Sequence, residues 1–360
     1  MAQTDTDTAH AAEERAGEEA LRRRRRARAW LFVALVVALV VTGLVSIVSG
    51  QYTVPVGDLP RILLAGPNGV ADTTDSVVWR IRVPRLVLGL IVGAALGVAG
   101  ALMQAVFANP LAEPSVIGVT SGAGVGAAIA IVLNVAWLGT MTVPAFAFVT
   151  ALATAAAVYA LARFGGRVHV INLILTGIAV NAVCGAAISF LVYIAPATAR
   201  EQIVFWQMGS LNGSQWRHVG VVALVALVGF LVALRLGSRL DALALGDGAA
   251  RHIGVNVAAL RTVAIVAAAL LTAAAVAFAG LIGFVGLIVP HIIRSVTGPA
   301  NTVLVPASAL GGAALIGLSD VVARTIIPFA DLPIGIFTAL VGGPTFFILL
   351  RRMMRKGRGL

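Results

Sequence analysis

The chain has 360 residues, of which 59% are hydrophobic and only 11% are charged, and its mean hydropathy is +0.99. This balance excludes a soluble globular domain and indicates a membrane protein, because apolar runs of about 20 residues recur along the chain. Lysine and arginine outnumber aspartate and glutamate by 26 to 15, a bias that in a membrane protein reports orientation and lipid contact before nucleic acid. We therefore predict a lipid membrane, and no nucleic acid, as a partner.

Residues 1–28 form an acidic patch followed by a run of arginines that ends at Arg28. This composition predicts a disordered tail whose arginines lie at the membrane surface. The apolar run Trp30–Val48 is longer than the core of a usual signal peptide and lacks a convincing cleavage site. We therefore assign it as the first span of a transmembrane domain at 29–355, which a second short tail follows at 356–360.

Nine further apolar stretches follow the first span. They are Leu86–Phe107, Val116–Val135, Thr142–Ala162, Val170–Ala195, Val219–Leu234, Leu260–Ala279, Leu281–Val296, Val303–Leu318 and Pro333–Leu350. The run from 260 to about 293 would measure roughly 50 Å as one helix, too long for a single span, and Gly280, Gly283 and Gly286 mark the expected break. The sequence thus predicts an all-α integral membrane protein with ten transmembrane helices.

An even number of spans places both termini on one side of the membrane. Seven basic residues precede Trp30 and five follow Leu350, so the positive-inside rule predicts that both termini are cytoplasmic. The remaining basic residues tie at seven on each side, and the outer ones include Arg82, Arg85 and Arg324. These outer arginines oppose the rule and need a separate explanation.

The sequence lacks the patterns of catalytic and metal-binding sites. The single lysine, Lys356, lies in the C-terminal tail, so the glycine-rich run Gly118–Gly126 cannot be a Walker A loop. The single cysteine, Cys184, excludes a disulfide framework and a cysteine metal site. His291 is isolated and is interpreted as a packing or interfacial group. We predict that the chain is not an enzyme and holds no metal or cofactor of its own.

An ion-coupled secondary transporter is the alternative of another class. Such a transporter would bury carboxylates or histidines near the middle of the membrane, whereas the acids after the first span fall in loops or at span ends. Asp320 comes nearest to an exception. It lies four residues before Arg324, so one helix face would let them pair, and we predict a structural ion pair or a feature of the outer surface, not a proton relay.

The longest polar interruption between spans is the stretch 237–256. Two short helices, Ser238–Leu245 and Asp247–Gly254, are predicted to hinge at Gly246, with Asp247 as the N-cap of the second. A helical pair between two spans could transmit a movement of a bound partner protein to the membrane-spanning helices. A solvated loop explains these residues equally well.

A second polar segment, the loop from Asn109 to Pro114, follows the second span. Pro110 and Pro114 bar a regular helix, and Glu113 places a carboxylate at the membrane boundary. The residues allow two interpretations, a tight structural turn or a loop that lines a gate or faces a partner.

Several short sequence blocks occur in order between residues 30 and 355. They are Arg82-Val83-Pro84-Arg85, Asn109–Pro114, Trp206–Leu211, Leu245-Gly246-Asp247, Gly283–His291, Asp320 with Arg324, Leu332–Gly335 and Gly343-Pro344. Together they resemble the permease subunits of bacterial iron–siderophore, haem and vitamin B12 ABC importers, the FecCD/BtuC-type family. Two departures are small, since Leu281 stands where the family usually has proline and Val83 replaces the usual leucine.

The resemblance implies a type II ABC importer permease in the bacterial cytoplasmic membrane. Such a subunit dimerises with itself or with a paralogous permease around a translocation path. It works with two ATP-binding subunits, which bind ATP and Mg, and with an extracytoplasmic substrate-binding protein. A ferric siderophore is the expected cargo, with cobalamin or haem as alternatives.

The resemblance also implies roles for particular residues. The stretch 237–256 matches the family's coupling helices, and the residues expected to contact the ATPase are Arg239, Asp241, Leu245, Gly246, Asp247, Arg251 and Gly254. Arg82, Arg85 and Arg324 match cations that dock acidic residues of the binding protein, with anchoring to lipid headgroups as the plain alternative.

Overall fold

A computed structural model describes the backbone of residues 2–67, 69, 72–164, 167–168 and 170–357, and their side chains apart from 2–18, 20–21, 164, 167–168, 349 and 352–357. Its helices are α1 (Ala2–Val48), α2 (Leu59–Ala65), α3 (Thr73–Ser76), α4 (Val83–Val106), α5 (Val119–Val132), α6 (Thr142–Leu161), α7 (Val170–Ile194), α8 (Ala197–Met208), α9 (Trp216–Leu243), α10 (Asp247–His252), α11 (Val257–Ala279), α12 (Val285–Thr297), α13 (Asn301–Thr325) and α14 (Ile334–Gly357). A π-helical segment, Val77–Arg82, joins α3 to α4, so that Thr73–Val106 runs as one helix.

Seven of these helices are long and apolar enough to cross a membrane. They are α1 from Arg22, the helix Thr73–Val106, α6, α7, α9, α11 and α13. Three shorter apolar helices, α5, α12 and the part of α14 up to Ile348, overlap the remaining predicted stretches. The structure therefore confirms a helical multi-span protein and finds a helix in each predicted apolar stretch.

The N-terminal tail differs from its prediction, because α1 continues as helix back to Ala2. The tail is rich in alanine, glutamate and arginine, which all have high helix propensity. Glutamates at 18 and 19 also stand four residues before arginines at 22 and 23, the spacing that supports a helix surface. The first span is therefore the C-terminal part of a longer helix that starts before the apolar run.

The centre of the bundle is built from α4, α11 and α13. In their most apolar windows, the helix that contains α4 is 78% buried and α11 is 72% buried, whereas α1 and α7 are each 17% buried. Apolar side chains exposed on a membrane helix can contact lipid at little energetic cost, so α1 and α7 lie at the periphery of the bundle. The two most buried of these helices, α4 and α11, are both rich in small residues, α4 in alanine and glycine and α11 in alanine.

Glycines let the backbones of the central helices touch. A Cβ atom at Gly93 would lie 2.2 Å from the carbonyl oxygen of Gly312, and one at Gly312 would lie 2.1 Å from that of Gly93. One turn along, Gly97 meets the Ser308 carbonyl oxygen at 2.2 Å in the same way. This small-residue seam joins α4 to α13, as is common where membrane helices pack closely.

The predicted break in the long apolar run is confirmed. Helix α11 ends at Ala279, Gly280 takes a positive φ of 70°, and α12 begins at Val285. The new helix starts four residues later than predicted, because Leu281–Gly283 are not helical and Phe284, with φ 68°, forms its left-handed cap. An all-α fold was predicted, and the described residues add one minimal antiparallel strand pair, β1 (Arg163–Phe164) with β2 (Arg167–Val168).

We expect Gly93→Ala to destabilise the protein. The added methyl group has no space beside the Gly312 carbonyl, so α4 and α13 must separate, at a cost of about 1–3 kcal/mol. Gly185→Ala is the matched control on α7, where a Cβ atom meets nothing within 4 Å. Thermal unfolding of the purified protein in detergent measures both variants, and equal melting temperatures for the two would contradict the close approach.

Candidate functional site

A buried charge cluster lies where α1 ends, α4 begins and α13 ends; we call this end of the bundle the distal end. Arg85 donates from Nε to Oδ1 of Asp320 at 2.9 Å and from Nη1 to Oδ2 of Asp331 at 2.7 Å. The other oxygen of Asp320 lies 3.5 Å from Nε of Arg324, which confirms the ion pair predicted within one helix. Only 3% of the Asp320 side chain and 9% of the Arg85 side chain are exposed, so each charge depends on the others for neutralisation.

Two arginines of this cluster also bind the C-terminal end of α1. Arg324 donates to the carbonyl oxygen of Ser49 at 2.9 Å and to the carbonyl and hydroxyl oxygens of Ser46. Arg82 reaches the same segment through the carbonyl oxygens of Ile47, Val48 and Tyr52. The last carbonyls of a helix have no intrahelical partner and carry its negative dipole end, so they are suitable acceptors for a cation.

These contacts bear on the prediction that Arg82, Arg85 and Arg324 dock a binding protein. The three residues are 4%, 7% and 6% exposed, and their guanidinium groups donate to carboxylates and carbonyls of the chain itself. Burial and internal pairing favour a structural role and weigh against a docking role for these side chains. The docking role stays a prediction, because it concerns a partner.

The loop from Asn109 to Pro114 packs against the start of α12. Oε1 of Glu113 accepts a hydrogen bond from the backbone N–H of Phe284 at 3.1 Å, and Oε2 accepts one from the Ser115 hydroxyl at 3.4 Å. Burial raises the pKa of the Glu113 carboxyl above its ordinary value, and these two hydrogen bonds oppose the rise. The predicted structural turn is present. It positions Glu113 to accept the hydrogen bond from Phe284, the left-handed N-cap residue of α12.

The other residues of this loop define its shape. Oδ1 of Asn109 accepts from the backbone N–H of Leu111 at 3.0 Å, which closes a turn around Pro110. Pro114 begins a single turn of 3-10 helix that ends at Ile117. The gating role of the loop stays a prediction.

The structure of the predicted coupling stretch, 237–256, differs in part from the sequence prediction. Residues 238–243 are not a separate helix but the last turns of α9, which continues without interruption to Leu243. The hinge at Gly246 is confirmed, since Gly246 adopts φ 102° and α10 begins at the next residue. The cap is corrected, because Gly246, not Asp247, is the N-cap of α10.

Two carboxylates tie this stretch to the central helices. Asp247 forms a two-pronged ion pair with Arg261 of α11, with N–O distances of 2.8 and 2.9 Å. Asp241 accepts from the backbone N–H of Asn301 and from the hydroxyl of Thr302, the latter at 3.2 Å, and so caps the start of α13. The loop that joins α9 to α11 is thereby fixed to both helices.

The outward face of the stretch is partly apolar. Leu245 is 75% exposed and Ile253 is 66% exposed, on either side of α10. Arg239 and Arg251 are also exposed, and Nε of Arg251 donates to the Asp247 carbonyl oxygen at 3.1 Å. Gly254 takes φ 83° and turns the chain into α11. Exposed apolar residues among solvated arginines form a surface suited to a protein partner.

A cavity of about 670 Å³ opens at the distal end, a volume within the range of small-molecule sites. Its walls come from α5, α6, α8, the segment that precedes α9, the end of α11 and the loop before α14. Its polar lining residues are Thr198, Glu201, Gln202, Ser210, Asn212 and Asp331, and its aromatic ones are Phe205, Trp206 and Phe278. None of the described residues that line it is basic.

The sequence did not single out this cavity. Glu201 and Asp331 are among the acids that the sequence places in loops or at span ends. The link from Asp331 to the buried cluster runs through Arg85, which lies 246 residues away in the chain. Arg200, which precedes Glu201 in the chain, directs its guanidinium to the carbonyl oxygens of Val192 and Ala195 at the end of α7. The cavity therefore presents carboxylates, two amides and hydroxyls.

Comparison with known proteins gives a consistent result. The model of the FecCD transport family matches residues 38–352. The chain is 43% identical over 315 residues to a cobalamin import system permease of Halobacterium salinarum, covering 85% of this chain and 84% of the relative. It is 38% identical to a hemin transport system permease of Yersinia pestis, covering 80% and 88%. A solved metal-chelate type ABC transporter in an inward-facing conformation superposes with a TM-score of 0.78, at 33% identity, covering 89% and 98%.

We expect Asp320→Asn to cost about 3–5 kcal/mol of stability, because it leaves the buried guanidinium group of Arg324 without a carboxylate and leaves Arg85 with Asp331 alone. Asp72→Asn is the control. Asp72 is 51% exposed in its pair with Arg61, and asparagine keeps the oxygen that accepts the Asp75 N–H, so the loss there should stay below about 1 kcal/mol. Melting temperatures of the two purified variants are compared, and a similar drop in both would refute the dependence on Asp320.

Proposed function

Because the chain belongs to the FecCD transport family, we propose that it is the membrane-spanning subunit of an ATP-driven importer that receives a metal chelate from a binding protein. It is a multi-pass ABC importer permease, and ATP hydrolysis is assigned to a separate partner chain. The observation that carries the proposal is the α9–α11 connection, which exposes Leu245 and Ile253 and is fixed to the central helices by the Asp247–Arg261 ion pair and the Asp241 cap.

The proposed topology has ten spanning helices, with the shorter helices α5, α12 and α14 crossing beside the seven long ones. A helix of 13 residues measures about 20 Å and falls short of the hydrocarbon core, so α12 is completed by the extended segment before it. A second permease subunit, either a copy or a paralogue, closes the translocation path. Both termini are proposed to be cytoplasmic, which makes the distal end extracytoplasmic.

Coupling is proposed to pass through α10. ATP binding moves the partner ATPase against Leu245, Ile253 and the arginines of this segment. The movement reaches α11 through the pair of Asp247 with Arg261, and α13 through the cap formed by Asp241. The path then opens alternately to the two sides of the membrane.

The proposed cargo is a ferric siderophore, which enters through the distal cavity. Glu201, Asp331 and several neutral hydrogen-bonding groups line this cavity. Asp331 is paired with Arg85, so Glu201 supplies the acidic charge, and a neutral or positively charged chelate meets no repulsion there, while a polyanion does. This charge argument favours hydroxamate-type ferric chelates. It disfavours haem, which carries two carboxylates.

Cobalamin is the second candidate cargo. It is rich in amides, which the hydroxyls, amides and carboxylates of the cavity can bind, and the relative from Halobacterium salinarum is named for its import. The iron and corrinoid candidates use the same mechanism and differ in the metal that is carried.

Uptake by cells that lack this protein tests the function. The cells receive, in parallel, a labelled cationic hydroxamate ferric chelate, a triply anionic catecholate ferric chelate, haemin and cobalamin. We expect loss of uptake for the cationic iron chelate alone, restored when the gene is returned. Loss of cobalamin uptake alone would identify cobalamin, not an iron chelate, as the cargo. Unchanged uptake of all four compounds would overturn the proposal.

In the same cells, Glu201→Lys should change cargo preference. A lysine in the cavity wall repels a cation and attracts an anion, so the ratio of cationic to anionic chelate uptake should fall about tenfold. Asp58→Lys makes the same charge change on a residue that does not line the cavity and should leave the ratio within twofold. An equal fall in the uptake ratio for both variants would show that the effect comes from the electrostatic field of the whole distal surface and not from the cavity.

Leu245→Asp should uncouple the importer without unfolding it, because the side chain is 75% exposed and supports no internal packing. Copurification of the ATPase with the tagged permease should fall at least tenfold, and uptake with it. Leu64→Asp is the control, since Leu64 is 88% exposed at the opposite end. Normal ATPase copurification with Leu245→Asp would contradict the assigned contact.

A further inference from the structure

An apolar groove runs between α1, α12, α13 and α14, with a volume of about 250 Å³. Leu31 and Leu35 of α1 form one side, and Ile288 and Ile292 of α12 face them. The two hydroxyls in the groove, of Thr338 and Thr345, donate to carbonyl oxygens of their own helix at 3.2 and 2.7 Å. The lining therefore requires no hydrogen bond from an occupant, which suits a hydrocarbon chain.

The groove is open to the surface of the bundle. Ile292 and Val341 at its rim are 48% and 54% exposed. Gly311 of α13 also lines the groove and lets α12 pack closely on α13, since a Cβ atom there would lie 2.9 Å from Val289 Cγ1 and 3.1 Å from Ile293 Cδ1. A chain can thus enter sideways from the surrounding lipid.

A guanidinium group stands where α12 ends, beside the groove. Arg28 donates from Nε and Nη2 to the carbonyl oxygen of Thr297, both at 3.2 Å. Arg28, Leu31 and Leu35 follow each other at spacings of three and four residues, so the same face of α1 carries the arginine and the groove wall. Arginine has five N–H donors, and the carbonyl engages only part of them.

Further arginines extend this face beyond the apolar run. At 3.6 residues per turn, Arg24 and Arg25 lie within about 60° of Arg28 around the helix axis, whereas Arg23 and Arg26 lie roughly 140° or more away. Both Arg24 and Arg25 are exposed. Three cations are thereby aligned above the end of an apolar groove.

We infer that this groove binds one acyl chain of an anionic phospholipid whose phosphate is held by Arg28, Arg25 and Arg24. The arginine fork matches two phosphate oxygens, and basic residues at a membrane surface favour anionic over zwitterionic headgroups. The charge of the site selects this occupant over a helix of a second copy of the chain. The inference does not depend on the proposed function.

Native mass spectrometry of the full-length protein in detergent tests the site, with phosphatidylglycerol and phosphatidylcholine of identical acyl chains as probes. We expect the protein to retain phosphatidylglycerol preferentially. The double variant Arg24→Gln/Arg25→Gln should weaken this binding roughly thirtyfold, since each arginine near an anionic surface is worth about a factor of five. The matched control Arg23→Gln/Arg26→Gln removes the same charge from the other face and should change binding less than threefold.

A second pair of variants tests the groove. Val341→Trp places a large side chain at the rim and should lower phosphatidylglycerol retention at least fivefold, while Leu340→Trp, on a neighbouring residue outside the lining, should not. Equal retention of the two lipids, equal loss in both arginine doubles, or full retention in Val341→Trp would each overturn the site. Dissociation of a dimer by Val341→Trp with lipid retention unchanged would assign the groove to a second copy instead.

Discussion

Asp320 is almost fully buried, and the arrangement of three helices at the distal end follows from the need to neutralise it. A carboxylate taken out of water costs several kcal/mol unless cations and donors meet it. Arg85 of α4 and Arg324 of α13 supply the countercharge. Arg324 in turn binds the carbonyl oxygens at the end of α1, so one acid joins three helices that are far apart in the chain.

The same two central helices meet along the seam of Gly93 with Gly312 and Gly97 with Ser308. Close backbone approach brings Arg85 within reach of Asp320, and the ion pair then fixes the register of the seam. Helix α13 is also held at its other end, where Asp241 caps it. Under the proposed function, α13 is the rigid element that connects the ATPase-facing segment to the cavity wall, because Arg85 links Asp320 at its far end to Asp331 in the cavity.

Local features of this fold were predictable from sequence, and pairings between distant residues were not. The spacing of Asp320 and Arg324 predicts an ion pair, and Gly246 and Gly280 predict chain breaks, because each depends only on neighbours in one helix or turn. The partners of Arg85 and of Asp247 depend on which helices pack together, information that apolar stretches do not carry. An arginine at a span end looks the same in sequence whether it is exposed or buried, which is why the three distal arginines were assigned to a surface.

The burial of those arginines also resolves the tie in the charge count. The positive-inside rule concerns solvated charges in loops that must be moved across the membrane. Arg82, Arg85 and Arg324 are at most 7% exposed and are satisfied by carboxylates or by the carbonyl oxygens that end α1, so they act as parts of the packed interior. With these three discounted, four of the internal basic residues remain at the distal end against seven at the end where α1 begins, and the proposed cytoplasmic placement of that end agrees with the internal loops as well as with the tails.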